Sequence, residues 1–416
     1  MKILVTGKGG REHALITALT ESPGTHEIFA WPGSDAIFRT AQRTPVQGFA
    51  QLVPWMVEDG IDLCVAGDES LLVTGEGLAN LCAKAGIPCW GPPKESAQLE
   101  ASKEFAKHFL VRHGIPTAGF KAVATLEEAR TAAAQVPVVL KFDGLAAGKG
   151  VSVCTTPEMV AEFLDTVFVQ QAFGEGRMVV EECLSGPELS VFCSIVGGDY
   201  HLLTAARDYK RIYENDEGPN TGGMGAVASN DIVAPEVLSQ IEREIIQPTV
   251  AGLQKDGLPY RGFLYFGLML TQQGPKVIEY NCRFGDPECE AVMPLFGGDF
   301  ARYVFEAAQN RLRPELLEFR DGWSVCLILA SAEYPAGSRN GDVISGLESV
   351  EGARVYHCGT RLNAAGGFET SGGRVLAVVA QAVSREEAIA KASAAADRIT
   401  FAGQQRRRDV GIMHFE

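Results

Sequence analysis

The sequence predicts a multidomain chain combining α/β and α+β architecture, and three observations predict it. Apolar, β-branched runs alternate with helical apolar spacing over the first hundred residues, "SIVGGDY" and "LTQQGPK" mark hairpins in the middle, and the last hundred residues hold strands and a helix of their own. Alternation of the first kind builds a parallel sheet with crossover helices; hairpins build antiparallel sheet. The expected units are an N-terminal parallel α/β domain over 1–100, a central α+β region over 101–318, and a small, separate C-terminal α+β domain over 319–416.

Each element follows from its residues. Positions 2–6 are apolar up to Gly7, and "REHALITALT" then spaces its apolar residues for a helix, giving strand, glycine turn and helix. "EIFAWPG", "IDLCVAG" and "IPCWG" supply further strands, and the proline pair of "GPPKE" at 91–95 marks the first boundary. "ESAQLEASKEFAKHFLVRHGI" is helical to Gly114, and "GFKAVATLEEARTAAAQVPVVLKFDG" reads strand, helix, strand. "RMVVEECL" is another strand, followed by hairpins turned at Gly-Gly-Asp and at "TQQG". "SVCLILAS", "GDVISG", "VYHCGT" and "GRVLAVVAQA", then the helix "SREEAIAKASAAADRI", complete the chain.

Composition narrows the function. At 416 residues, with 46% hydrophobic and 21% charged residues, the chain is an ordinary globular protein with room for several cores. A net charge of −15 excludes nucleic-acid backbone binding, which needs clustered Lys and Arg. Ten cysteines, scattered singly and without metal-ligand spacing, read as reduced, buried thiols. The apolar run in "MKILVTGKGG" is too short for a signal peptide, and no 18-residue apolar run occurs, so the expectation is a soluble cytoplasmic protein without a membrane partner.

"GLAAGKG" at 144–150 is not a P-loop: three residues, not four, precede the Gly148-Lys149 pair, and Gly150 stands where Ser or Thr must hold a cation. With Lys141 at the end of "VVLK", it reads instead as a lid whose glycine backbone and Lys149 approach phosphate oxygens. In "VVEECLSGPEL", Glu181 and Glu182 end a strand whose backbone can meet an adenine edge, and Glu188 can accept ribose hydroxyls; alone this reads as a solvated strand end. "VIEYNCRFGDPE" is more specific. Glu279 and Asn281 lie two apart on a strand and share a face, a carboxylate and an amide oxygen suited to Mg²⁺. Arg283, Asp286 and Glu288 crowd behind them, an expensive concentration of charge unless ligands hold it. "EGPNTGGMGA" at 217–226 reads as a ten-residue loop, its four glycines and almost no apolar content suited to wrapping a ligand, with Asp208, Lys210 and Arg211 beside it. In "GKGGREHA" the glycines before a helix offer backbone N–H groups to a phosphate monoester, while Glu12 replaces the third glycine of a dinucleotide fingerprint. His13 reads as structural.

In order from residue 3 to about 411, these motifs, with "QLEASKEFAKHFLVRHGIPTA", "DYKR", "GFLYFGLM", "GDVISG" and "GGRVL", resemble the phosphoribosylamine-glycine ligase family, also called glycinamide ribonucleotide synthetases, ATP-grasp enzymes of purine biosynthesis. The resemblance implies an ATP-grasp core of two subdomains, with a flap over about 119–186, and ligation of glycine to 5-phosphoribosylamine through a glycyl phosphate. It implies that Lys103, Lys141, Lys149 and Gly148 bind ATP phosphates, that Glu181, Glu182 and Leu184 meet adenine, and that Glu188 binds the ribose. It further implies that Glu279 and Asn281 hold Mg²⁺ (or Mn²⁺), that Arg283, Asp286 and Lys210 act on the reacting groups, and that Gly9, Gly10, Arg11, Asn220, Thr221 and Gly222 hold the substrates. The expected partners are small molecules only, in a monomer or weak homo-oligomer.

Several residues depart from the family pattern: Glu290 for a usual Gln, Asp68 and Ser70 for prolines around Glu69, Ser34 for Asn, and Glu333 for glycine. Glu290 is expected to add negative charge near the substrate. The departures keep open a carboxylate-amine ligase of the same fold with another amine or carboxylate. A nucleotide-binding module without catalysis is a third reading, opposed by the retained metal pair.

Overall fold

The computed structural model describes residues 1–146 and 150–412, and Gly148 and Lys149 lie outside that range. The first apolar run forms the strand Lys2–Gly7 at the centre of a five-stranded parallel sheet, between Glu27–Pro32 and Leu63–Ala66, with Gln42–Arg43 and Cys89–Trp90 at the edges. Its residues past Ile3 are buried because helices cover both faces of a parallel sheet. Gly7, at φ 124°, turns the chain into the helix Gly10–Glu21.

A four-stranded antiparallel sheet follows, ordered Phe120–Val123, Met178–Glu182, Val138–Phe142, Val151–Cys154, with the helices Leu126–Ala132 and Pro157–Leu164 on one side. It has a separate core around Leu140, Val160, Leu164 and Val180. Both expected hairpins are present: Glu188–Val196 pairs with Asp199–Asp208, and Arg261–Thr271 with Gly274–Asn281.

Two expectations need correction. Apart from the short pair Thr360–Leu362 and Phe368–Thr370, the C-terminal strands do not make a sheet of their own. Gly274–Asn281, Arg261–Thr271, Glu188–Val196, Asp199–Asp208 and Gly225–Ser229 continue directly into Trp323–Ala330, Arg374–Ala382 and Arg354–His357, an eight-stranded antiparallel sheet. Gly225–Ser229 would otherwise leave an edge of unpaired backbone groups, and the apolar run 324–330, buried at every position, needs neighbours on both sides. The second correction concerns "EGPNTGGMGA", which is not one long loop. Glu217–Asn220 pairs with Arg211–Tyr213, Met224 is fully buried, and Gly225 opens a buried strand where a Cβ would lie 2.7 Å from the Cys326 carbonyl oxygen. Only 221–224 remain as loop.

Candidate functional site

The four-stranded sheet, the eight-stranded sheet, the parallel-sheet unit and the C-terminal strands all meet at one cavity of about 490 Å³. From the four-stranded sheet, Lys141, Glu181 and Glu182 line it, and Leu184 does so two residues past the strand end. Lys103 joins them from the first turn of the helix Lys103–Arg112, which Ser102 caps by accepting the Phe105 N–H at 3.0 Å. The eight-stranded sheet contributes Glu188, Glu279 and Asn281, Lys210 follows two residues past its strand Asp199–Asp208, and the turn after Asn281 adds Arg283 and Asp286. Asn220, Thr221, Gly222 and Arg11 also line it.

Nearly every charge in this cavity already has a partner. Lys141 Nζ donates to the Ile278 carbonyl at 2.9 Å and lies 3.1 Å from Glu181 Oε1, whose other oxygen is 2.9 Å from Lys107 Nζ. Burial pushes Lys107 down to about 8 against the pull of Glu181, and lowers Lys103, whose Nζ donates to the Gly144 carbonyl at 2.7 Å. Glu181 is thus a counter-ion to two lysines, and its backbone sits in the sheet opposite Phe120 and Val139. The stretch that passes the strand end into the cavity is Cys183–Leu184. Lys210 Nζ binds Glu188 Oε2 at 2.6 Å and Asp208 Oδ1 at 3.1 Å. Burial raises Asp208 to about 7 despite Lys210, whereas for Glu188 the lysine outweighs burial and the pKa falls.

At the other end, Arg283 Nε donates to Glu69 Oε2 at 3.0 Å, and its Nη2 lies 2.7 Å from Glu100 Oε1. Burial opposes ionisation of Glu69, but Arg283 and Arg11 override it and hold the carboxyl near 2; Glu100, more deeply buried, is pushed up to about 7. Asp286 pairs with Arg374 Nη1 at 3.0 Å, and Arg374, with Arg11 and Arg283, overcomes burial to lower its pKa.

Gly9 and Gly10 do not line this cavity. Glu12 Oε2 accepts the N–H groups of Lys8 at 3.1 Å and Gly9 at 2.6 Å, so the acid in place of a third glycine caps this turn from within. A Cβ on Gly10 would lie 2.2 Å from Glu290 Oε1 and 2.6 Å from Cys358 Sγ, so Gly10 serves close packing. His13 is structural as expected: its Nδ1 accepts the His357 N–H at 3.0 Å, and burial lowers it to about 4.

Glu290 adds no charge to the cavity. It is 0% exposed and outside the cavity lining, neither carboxyl oxygen has a hydrogen-bond partner among the described residues, and burial, with Asp286 beside it, raises its pKa well above the ordinary value, which favours the uncharged form. Asp68 and Ser70 replace the expected prolines with a local turn, in which the Ser70 N–H donates to Asp68 Oδ1 at 2.7 Å. Ser34 Oγ accepts the Ile37 N–H at 3.4 Å, and Glu333 stands at φ 73°, where glycine is at ease.

The sequence reading gave no role to Glu69, Glu100 or Arg374. Glu69 sits in "AGDESLL" just past the strand Leu63–Ala66, where ligands collect at the carboxyl ends of parallel strands. Arg374 sits in "GGRVL", noticed but unused. Glu100 lies mid-helix with no local signal. The cysteines, expected singly, bring Cys64, Cys82 and Cys89 together with Sγ atoms within 4.8 Å. All three thiols are buried, core contacts between neighbouring elements.

A lysine-lined cavity between a small antiparallel sheet and a large one, floored by an acid-amide pair, defines an ATP-grasp enzyme. A biotin carboxylase from Campylobacter jejuni shares the fold, with a TM-score of 0.72 and 17% identity, covering 99% of this chain and 94% of that one. Closer matches specify the group. Models of phosphoribosylglycinamide synthetase match in three parts, the N domain over 1–100, the ATP-grasp (A) domain over 101–289 and the C domain over 324–413. The chain is 40% identical over 416 residues to a phosphoribosylamine–glycine ligase of Caldanaerobacter subterraneus, covering 99% of each. It is 39% identical to a trifunctional purine biosynthetic protein of Drosophila melanogaster, covering all of this chain and 32% of that one. The crystal structure of a phosphoribosylamine–glycine ligase from Thermotoga maritima matches with a TM-score of 0.85 and 33% identity, over 98% of this chain and 100% of that one. The chain belongs to the phosphoribosylglycinamide synthetase family.

Proposed function

We propose that this chain ligates glycine to 5-phosphoribosylamine at the expense of ATP, giving glycinamide ribonucleotide, ADP and phosphate. The observation that carries the reading is the convergence of Lys141, Glu279 and Asn281 on one cavity in a chain of this family. A carboxylate is a poor electrophile. Transfer of the γ-phosphoryl group to glycine makes an acyl phosphate whose carbonyl carbon the amine attacks, so the protein's work is positioning and charge neutralisation.

In this reading Lys103, Lys141, Lys149 and Gly148 bind the triphosphate. Cys183–Leu184, beyond Glu181 and Glu182, meets adenine, and Glu188 turns from Lys210 to the ribose. Glu279 and Asn281 fit Mg²⁺ (or Mn²⁺): the Asn281 amide is satisfied with its nitrogen donating to Glu100 Oε1 at 2.9 Å and the Tyr280 carbonyl at 3.2 Å, which leaves its oxygen for a cation. Bound there, the ion would neutralise phosphate charge. Arg11 and Arg283, fixed by Glu69 and Glu100, face the amine substrate, beside Asp286 and Lys210. Asp208 and Glu100, both near 7, can exchange a proton at neutral pH. The unit 1–100 presents the amine, 101–318 the ATP chemistry, and 319–416 closes the site, in a cytoplasmic monomer or weak homo-oligomer. Among the described residues no helix is long and apolar enough to cross a membrane.

The test supplies purified protein with ATP, Mg²⁺, glycine and freshly generated phosphoribosylamine and measures ADP and glycinamide ribonucleotide. Absence of both above controls refutes the reading. Lys141→Met should lower kcat/KM for ATP by about 10²- to 10³-fold, as loss of one preorganised charge contact does.

A further inference from the structure

The backbone of Gly222, in the loop 221–224, is held on both sides by the C-terminal part of the chain. Its N–H donates to the Tyr334 hydroxyl at 2.8 Å, and its carbonyl accepts from Arg374 Nη1 at 2.6 Å. The same guanidinium donates to the Asp286 carbonyl at 2.6 Å and pairs with Asp286 Oδ1 at 3.0 Å. One arginine therefore ties the loop to the turn that follows the metal pair.

The surfaces lie flush because glycines face them. A Cβ on Gly222 would lie 3.1 Å from Arg374 Cζ, one on Gly223 2.5 Å from Pro287 Cδ, and one on Gly373 2.2 Å from Tyr334 Cδ2. Gly223, at φ 112°, also needs a backbone conformation that other residues resist. Arg374 lines the cavity, whereas Tyr334 does not, so the hydroxyl of Tyr334 acts on the loop and not on a ligand.

We propose that Tyr334 and Arg374 are positioning residues that clamp the loop 221–224 against the turn 283–288, so that the C-terminal strands set how well the acyl phosphate is shielded from water. The inference rests on the ligase reading above. There, the γ-phosphoryl group leaves ADP for a glycine carboxylate oxygen. The amine nitrogen then bonds to the carbonyl carbon, the carbon–oxygen bond breaks, phosphate departs with the electron pair, and the nitrogen gives up one proton. With the loop unclamped, water attacks that carbon instead: glycine and phosphate are regenerated, and ATP has been hydrolysed to ADP without product.

The experiment measures ADP released per glycinamide ribonucleotide formed by the full-length enzyme, at saturating glycine and phosphoribosylamine, with KM for ATP and the melting temperature alongside. Wild type should give a ratio near one. Tyr334→Phe keeps the ring against Gly373 and removes one hydrogen bond, which should shift the clamped-to-free balance of the loop by about fivefold and raise the ratio, with KM for ATP unchanged. Arg374→Lys, which keeps the charge but not the planar guanidinium that holds Nη1 between the Gly222 and Asp286 carbonyls, should uncouple more. A purely structural role would lower ADP and product together. A wild-type ratio in Tyr334→Phe overturns the clamp, even if Arg374→Lys fails to fold. A wild type that makes no product refutes the ligase reading, and the clamp with it.

Discussion

The buried acid at Glu290 makes a pH-dependent stability difference that can be worked from its surroundings. It lies on the short helix Glu288–Val292, fully buried, against Gly10 and Cys358, with Asp286 repelling its charge and Arg374 and Arg11 too weak to offset desolvation. In the unfolded chain a glutamate releases its proton near the ordinary value of 4.5, but the native carboxyl titrates well above it. Between those two values the folded state binds one more proton than the unfolded one. Each pH unit of rise through that window therefore removes about 1.4 kcal/mol of stability. Glu290→Gln is neutral at every pH and lacks this slope. Its amide introduces an unpaired N–H, but that offset does not depend on pH. As pH rises above the ordinary glutamate value, the stability of the variant relative to wild type should climb by up to about 1.4 kcal/mol per pH unit, and level off where the native carboxyl itself ionises. Urea midpoints of both proteins at three pH values measure it, and subtraction removes every titration the two share. A difference that does not change with pH would mean that the native carboxyl titrates near its ordinary value, which would refute the raised pKa.

Three further outcomes are expected. Glu279→Ala should raise the Mg²⁺ concentration for half-maximal ADP release at least about tenfold, and chelation of divalent ions should stop turnover; an unchanged Mg²⁺ dependence would remove Glu279 from the cation site. Glu333→Gly should stabilise the fold by about 0.5–1 kcal/mol, the left-handed strain at φ 73° outweighing the added freedom of the unfolded chain, and a lower melting temperature would contradict this. Glu181→Gln leaves the buried ammonium groups of Lys107 and Lys141 without their counter-ion, so it should lower stability by about 3–5 kcal/mol yet gain more in melting temperature than wild type on adding ATP; equal gains would show that ATP does not meet Lys141.

What the sequence disclosed and what it hid divide along physical lines. Lys2–Gly7, the hairpin at Gly197–Gly198 and the strand holding Glu279 and Asn281 were legible because periodicity and turn chemistry are local. The joining of Gly225–Ser229 to Trp323–Ala330 was not, since it pairs residues about a hundred positions apart and apolar periodicity never names a partner strand. The glycines of 217–226 suggested a loop, yet Gly225 is small because the Cys326 carbonyl approaches it. Glu12 was seen as a missing glycine, when its length lets it fold back onto the N–H groups of Lys8 and Gly9. Arg374 and Glu100 escaped because each acquires meaning only opposite Gly222, Asp286 or Arg283.

The cavity's ion pairs explain how so many charges are stored in so small a space before any ligand arrives. Lys141 with Glu181, Lys210 with Glu188 and Asp208, Arg283 with Glu69 and Glu100, and Arg374 with Asp286 each satisfy a charge that burial would otherwise make untenable. In the ligase reading such pairing has two effects with opposite signs. It preorganises the cations, so a polyphosphate meets fixed charge and little side-chain entropy is lost on binding. It also makes an anion compete with the resident carboxylates. That competition is smallest at Lys103, whose Nζ donates to the Gly144 carbonyl, and greatest at Lys210, held by two carboxylates. In that reading the same physics would make Lys103 a first point of contact for phosphate and keep Lys210 engaged until a ribose drew Glu188 away.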